Sequence, residues 1–387
     1  MKILHVIPGL EVSGGGGNRA PAELCASLAA LGHDVTLVHV TGRRGEPCFE
    51  PKAVRVVGFP SRFFHRYAYS PALCRFLKTE IPQSDIVHIH ALWQYPNLAA
   101  ATVARQHGVP YIVQPHGSLN PWRLNHKPIR KWWYGRFVER SLLEASAFIH
   151  VESELDQHDV QTYLPNARTV VNPCGAFAES FVTPAADGYL VRRWPQLRDK
   201  RVLLFLARID VMKGLDILID AFADCFAGRR DIALLVIGPD SAGMVASLRH
   251  RSEELGIASQ VVWGGEIFSD ERFEIMRQCD AYILPSKSDN FGISVLEAMF
   301  CGAPILTTSA TPWTELVHHN AGLVVDPHVA DVSRGLRQLV DMPHEQRRQL
   351  GLCARRLAHQ KYLWRSIAAD LVRHYELVSS DRPIKAA

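Results

Sequence analysis

"VLLFLARIDVMKGLDILIDAFADCFAGRRDIALLVIG" (202–238) is a stretch whose periodicity changes twice. Residues 202–207 form a continuous apolar run of strand length. Residues 214–227, GLDILIDAFADCFA, place apolar side chains at helical spacing, and ALLVIG (233–238) returns to a strand. A strand apolar on both sides, then a helix, then another such strand is the grammar of a parallel sheet covered by helices.

The same grammar extends in both directions. Downstream, VVWGG (261–265), AYILP (281–285), APILTT (303–308) and GLVVD (322–326) read as strands, and ISVLEAMFCG (293–302) as a helix closed by Gly302. Upstream, ILHVI (3–7), VTLVHV (35–40), VRVV (54–57), DIVHIH (85–90), YIVQ (111–114) and AFIHV (147–151) are strand candidates. RAPAELCASLAALG (19–32) and YPNLAAATVARQHG (95–108) lie between them with helical spacing. Two α/β domains are therefore expected, 1–177 and 201–359. The linker is expected at 178–200, which is mixed in polarity and carries Pro184 and Pro195. The last residues read as two helices broken near Tyr362, the second (about 360–387) crossing back to the first domain. A length of 387 residues suits two hydrophobic cores better than one.

Composition narrows the function classes. With 47% hydrophobic and 21% charged residues the chain is ordinary globular protein. Lys plus Arg number 43 and Asp plus Glu 39, a balance of +4 that does not argue for nucleic acid, and no nucleic-acid recognition module accompanies it. The eight cysteines contain no Cys-x2-Cys pair and read as reduced thiols. The apolar run at the N-terminus is short and meets glycines, so it reads as a strand rather than a targeting segment, and no window is long enough to span a bilayer. A cytoplasmic protein is expected, peripheral on the inner face of the cell membrane if its basic segment engages lipid.

In open parallel sheets, ligands bind beyond the carboxyl ends of strands, so the chemistry is sought in those loops. After the first strand come Gly14 to Gly17, then Asn18 and Arg19 at a helix start. Glycines there let amides approach an anion, although a plain surface loop is the competing reading. Arg208 and Lys213 bracket the loop after 202–207 and could converge on a diphosphate, or be ordinary loop cations. In PSKSDNFGISVLEAMFCGAPILTT (285–308), Ser286 ends a strand, and Asp289 to Gly292 form a turn before a helix carrying Glu297. The amides of Asn290, Phe291, Gly292 and Ile293 would face a ligand above the helix start. Asp289 and Glu297 could share only an elongated ligand such as a sugar nucleotide. The competing roles are an N-cap and a surface helix residue.

These residues together resemble the glycosyltransferase 4 group of retaining GT-B glycosyltransferases, over most of the chain and most clearly from 202 to 327. The family signature is an acid, seven residues, then glutamate; here it runs from Asp289 to Glu297, with Asp where Glu is commoner. The resemblance implies two Rossmann-like domains whose sheets face across a deep cleft. It implies that Asp289 and His116, in PHG (115–117), contact the hexose, that Glu297 holds the ribose, and that Arg208 and Lys213 stabilise the diphosphate. Gly16, Gly17 and Ser286 complete the donor pocket. The implied reaction retains configuration and moves a hexose from a nucleotide sugar to a glycan or lipid-linked saccharide in surface polysaccharide synthesis. UDP-glucose or a similar UDP-hexose is favoured as donor. A GDP-mannose-dependent mannosyltransferase and a non-catalytic sugar-nucleotide-binding subunit are the alternatives. No Asp-x-Asp triplet occurs, so neither a metal nor another cofactor is expected.

One segment adds a surface. Between Gly117 and Arg140 stand Arg123, Lys127, Arg130, Lys131, Arg136 and Arg140 against Glu139, with Trp122, Trp132, Trp133 and Tyr134 interleaved. Together with Asn18 they are candidates for the acceptor or an anionic membrane surface. The competing reading is a helix whose aromatics pack inward.

Overall fold

The computed structural model describes residues 1–41, 46–63, 65–125, 128–182 and 188–380. Its residues divide into two compact units, Met1–Gly175 with the C-terminal residues from Trp364, and Ala176–Leu363.

The first unit holds β1 (Lys2–Ile7), β2 (Asp34–Thr41), β3 (Arg55–Pro60), β4 (Ile86–His90), β5 (Tyr111–Gln114), β6 (Phe148–Val151) and β7 (Thr169–Val171). All pair in parallel, in the order β3-β2-β1-β4-β5-β6-β7. The second unit holds β8 (Arg201–Leu206), β9 (Ile232–Ile237), β10 (Val261–Gly265), β11 (Ala281–Leu284), β12 (Ile305–Thr308) and β13 (Leu323–Val325). Their order is β10-β9-β8-β11-β12-β13, again parallel. Both are doubly wound sheets in which the strand order reverses once, between β1 and β4 and between β8 and β11. At such a switch point the connections leave to opposite faces and open a crevice for a ligand.

Burial explains why these segments form strands. The interiors of β8, β9, β11 and β12 are entirely buried, and their Leu, Ile and Val side chains each contribute about 1.5–3 kcal/mol on leaving water. The edge strands β3 and β7 are partly exposed. β7 was absent from the sequence expectation because three residues of an edge strand carry too little pattern. The first sheet departs from the apolar rule at His5, His88, His90 and His150, which sit in β1, β4 and β6 with exposures of 0 to 2%.

Two boundaries differ from expectation. The stretch 178–200, expected as a linker, belongs to the second unit: Leu190, Trp194 and Leu197 are buried, the first two on and beside the helix Tyr189–Arg193. Residues 183–187 of that stretch lie outside the described residues, as do 381–387 of the expected crossing helix. The helix His344–Lys361 belongs to the second unit, and the break falls at Tyr362 and Leu363. The helix Trp364–Ser380 belongs to the first unit, where buried Trp364 donates from Nε1 to Glu23 Oε2 at 2.8 Å.

Candidate functional site

In the second unit the loops at the switch point are those after β8 and β11. Asp210 shapes the first by accepting from the Met212 amide at 2.9 Å, which caps the turn Val211–Lys213. Gly214 then takes φ 68°, and a Cβ there would stand 2.0 Å from the Pro285 carbonyl oxygen, so only glycine allows the two loops to touch. The Lys287 amide donates to the Met212 carbonyl at 2.8 Å, and the Asp289 amide to Ala310 at 3.1 Å. Lys213 Nζ lies 2.5 Å from Asp289 Oδ2, with side-chain exposures of 14% and 9%. Lys287 pairs similarly with Asp216 at 2.6 Å. Arg208 is half exposed and reaches Asp210 only at 3.5 Å.

The helix Ile293–Cys301 starts directly after this loop. Its N-cap, Gly292, has no side chain to cap the first amides, which leaves an anion-favouring terminus in the turn Asp289–Gly292. Ser286 is fully buried, and its Oγ has no hydrogen-bond partner among the described residues. The same holds for Nε1 of Trp313, 1% exposed, which stands 3.0 Å from where a Gly292 Cβ would be. Orphaned buried polar atoms beside an uncapped helix start are what a polar ligand would satisfy. Asn290 is half-buried, while Phe291 is buried edge-on against Trp313 at 5.0 Å, so Phe291 can offer a ligand only its backbone. Glu297 is buried and paired with Arg272 at 3.2 Å. Arg272 also donates to the carbonyls of Phe268 and Ser269.

In the first unit the glycine run is shorter as a loop than expected, because the helix Gly16–Ala30 begins inside it. Gly15, at φ 63° and ψ −142°, is its N-cap, and Gly16 and Gly17 form the first turn rather than precede it. Their amides are among the N-terminal donors that a helix leaves without intrahelical acceptors. Asn18 is tied back, its Nδ2 donating to the Glu11 carbonyl at 2.9 Å.

Three residues without glycine's freedom adopt left-handed backbone at the carboxyl ends of β4 and β5: Ala91 (φ 67°), Trp93 (φ 70°) and His116 (φ 50°). Asn97 Nδ2 holds the Ala91 carbonyl at 2.6 Å, and Glu139 Oε1 accepts from the Trp93 amide at 2.7 Å. Burial pushes the Glu139 carboxyl up to about 7, partly offset by that amide. Glu139 lies in the π-helical turn Gly135–Glu139, a form that recurs at functional sites. The loop 91–94 escaped sequence reading, since neither alanine nor tryptophan signals positive φ.

His116 donates from Nδ1 to Glu152 Oε1 at 2.8 Å, and its Nε2 meets His90 Nδ1 at 3.1 Å. Behind it, His90 Nε2 meets His5 Nδ1 at 2.9 Å, and His88 joins Tyr375 at 2.6 Å and His150 at 3.4 Å. Burial holds all four inner histidines below the usual value, His5 to about 3 and His150 to about 4. The ligand-type atoms of His5, His88 and His90 lie within 4.8 Å of one another. Apart from His5 Nε2, their ring nitrogens are engaged with neighbouring side chains, which makes the group a hydrogen-bonded network.

The basic aromatic segment turns part of its apolar surface outward. Trp122, Trp132, Trp133 and Phe137 are 48 to 63% exposed, and Trp133 stacks on Phe137 at 5.2 Å. Tyr134 instead turns inward to bond Tyr67 at 2.8 Å. Arg123 is exposed, and Lys131 donates to its carbonyl while lying 5.8 Å over the Trp93 ring. Lys127 lies outside the described residues, as does the side chain of Arg130.

Two family models match, "Glycosyl transferase 4-like domain" over residues 15–175 and "Glycosyl transferases group 1" over 191–357. The chain belongs to this glycosyltransferase family. A D-inositol 3-phosphate glycosyltransferase of Jonesia denitrificans is 28% identical over 62% of the chain, a match spanning 58% of that relative's own length. Sucrose-phosphate synthase of Thermosynechococcus elongatus superposes with TM-score 0.77 at 18% identity, covering 99% of this chain and 100% of that one. HepE of Anabaena, solved with UDP and glucose, superposes with TM-score 0.77 at 19% identity, covering 98% and 100%. The parallel sheets of seven and six strands are those of the GT-B fold.

Within each unit, then, the expected residues fall into groups. Arg208, Lys213, Ser286, Asp289 and the 290–293 backbone lie on the touching switch-point loops of the second unit. In the first, Gly16 and Gly17 stand at the end of the β1 loop, and His116 follows β5. Glu152, His90 and Arg272 were missed. Each is partnered through residues at least 25 positions away, which no local pattern announces.

Proposed function

We propose that the chain is a retaining hexosyltransferase whose second unit binds the nucleotide-sugar donor. The observation that carries this is the Lys213–Asp289 pair joining two loops at a switch point, with Arg208 on the first of those loops and an uncapped helix N-terminus following the second. When the sugar–phosphate bond breaks, negative charge grows on the diphosphate. Arg208, Lys213 and the 290–293 amides stabilise that charge more than they stabilise the ground state. Asp289 is assigned to the hexose, released when Lys213 turns to phosphate, and Glu297, held by Arg272, is assigned to the ribose. His116 is assigned a hexose contact. UDP-hexose is the favoured donor, a choice supported by the complex of HepE with UDP and glucose.

Departure of the diphosphate on the face attacked by the acceptor gives retention, with a donor phosphate oxygen taking the acceptor's proton. These cations can serve where other transferases use a metal, so turnover is expected to survive chelator. The acceptor is a saccharide or a phosphorylated polyol, the latter supported by the relatives named for inositol 3-phosphate. Incubation with UDP-glucose and NMR analysis of the product anomer test the reading; an inverted product overturns the mechanism. Donor hydrolysis without acceptor separates it from a non-catalytic binding subunit, which releases no nucleoside diphosphate, and GDP-mannose tests the mannosyl alternative.

A second reading concerns the surface. The outward Trp122, Trp132, Trp133 and Phe137, set among Arg123, Lys131 and Arg136, fit the interface of an anionic membrane, where aromatic rings sit at headgroup depth. No helix among the described residues is long and apolar enough to cross a membrane. Flotation with phosphatidylglycerol vesicles at low salt should retain the chain and lose it on Trp132→Ala with Trp133→Ala; equal behaviour of both forms contradicts this contact.

A further inference from the structure

We propose that Glu152, His90 and His5 are positioning residues that lock the His116 imidazole in its Nδ1–H tautomer. The inference rests on the hexose contact assigned above to His116, and concerns how that ring is held.

Acceptor-only groups fix the proton at two points of the network, His150 Nε2 and His116 Nδ1. His150 Nε2 lies 2.7 Å from the Asn172 carbonyl oxygen, which can only accept, so His150 carries Nε2–H. Its Nδ1 is then a lone pair facing His88 Nε2 at 3.4 Å, which therefore carries the proton. His88 Nδ1 is left to accept from the Tyr375 hydroxyl at 2.6 Å. This branch ends on the helix Trp364–Ser380 and runs from Tyr375 through His88 and His150 to the backbone.

The other branch has the opposite tautomer throughout. Burial acts to raise the Glu152 pKa, yet His116, Cys174 and His150 together hold it below the ordinary carboxylate value, so it stands ionised as an acceptor. His116 Nδ1 must donate to it, and in the neutral ring Nε2 is then left to accept from His90 Nδ1–H. His90 Nε2 in turn accepts from His5 Nδ1–H. The chain ends at His5 Nε2, which has no partner among the described residues. Run this way, the unpartnered atom is a lone pair. Run the other way, with Nε2–H on His116, it becomes a buried N–H with nothing to accept it, the rarer and costlier orphan.

His116 is thus held at both ring nitrogens on a residue already fixed at φ 50°, and its ring cannot turn without breaking a bond to Glu152 or His90. Such rigidity presents a ligand with a ring already in place.

Long-range ¹H–¹⁵N correlation spectra of the full chain, labelled at histidine, read tautomers directly. His5, His90 and His116 are expected as Nδ1–H, and His88 and His150 as Nε2–H. Finding His116 as Nε2–H, the form favoured in water, overturns the inference without requiring any variant to fold. On activity, His90→Phe is expected to lower kcat with UDP-hexose by about 10- to 100-fold. His90→Asn, whose amide replaces the Nδ1–H donor, should recover most of it. If His116→Ala leaves transfer unchanged while the tautomers are as assigned, the contact assigned to His116 fails and the network stands. If His116→Ala abolishes transfer and His90→Phe matches the unmodified chain, the positioning role is wrong.

Discussion

Lys213 Nζ and Asp289 Oδ2, 76 residues apart in sequence, meet at 2.5 Å and join the two loops that leave the second sheet where its strand order reverses. The pair is largely buried, so removing one partner strands the other. Lys213→Ala should lower stability by about 3 kcal/mol and abolish transfer. Lys213→Met with Asp289→Leu should recover most of the stability and none of the activity, read by urea unfolding and donor turnover. If activity returned with stability, the pair would be a structural clasp only.

Arg208 is the converse case. It is half exposed and weakly paired, so Arg208→Ala should change stability by less than about 0.5 kcal/mol. In its proposed role its loss removes positive charge from beside the leaving group, and kcat should fall about 100-fold with donor KM nearly constant. Steady-state kinetics check this, and equal losses in binding and turnover would count against selective stabilisation of the departing diphosphate.

Gly17 separates ligand from fold. A Cβ there meets nothing within 4 Å, and the residue is in the first turn of a helix. Gly17→Ala should therefore hold or raise stability by up to about 1 kcal/mol. If its backbone approaches substrate, the methyl group should nevertheless weaken donor or acceptor binding. A variant both stable and fully active would reduce the glycine run to a helix start.

The buried titratable groups predict how stability varies with pH. His5, His88, His90 and His150 have depressed values, so the unfolded chain binds more protons than the folded one and stability is lost as pH falls below about 6.5. Glu139 and Asp156 have values raised by burial, to about 7 and about 8, so the folded chain holds extra protons and stability is lost as pH rises from about 4 to 8. Four histidines outweigh two carboxyls on the acid side. Urea midpoints should peak between about pH 6 and 7. Glu139→Gln should flatten the alkaline decline; an unchanged decline would remove Glu139 as its cause.

Much of the scaffold was legible because the strands are runs of Val, Ile and Leu bounded by loops. The family signature marked Asp289 and the turn to Ile293, and the alternation of strand and helix pointed to the loop from Arg208 to Lys213. Other features were hidden for physical reasons. Trp194 and Leu197 sit in a stretch of mixed polarity and become core only through tertiary packing. The start of the helix at Gly16 contradicts glycine's poor propensity, and Gly15 supplies the turn instead. His5, His88 and His90 interrupt apolar strands as polar residues would on an exposed face, yet they are wholly buried because His116, His150, Tyr375 and the His5–His90 bond engage all of their ring nitrogens but His5 Nε2; Tyr375 lies 287 positions from His88. That compensation is a property of the fold and has no local signature.

The diphosphate of a sugar nucleotide is assigned above to the switch-point loops of the second unit. Thermal unfolding of the chain and of Arg208→Ala, each alone and with saturating UDP, UDP-glucose, GDP and GDP-mannose, decides whether those loops hold it. UDP and UDP-glucose should raise the Tm of the chain, and Arg208→Ala should lose most of the rise given by the diphosphate. No shift with any of the four ligands, or an equal shift in the variant, would contradict it.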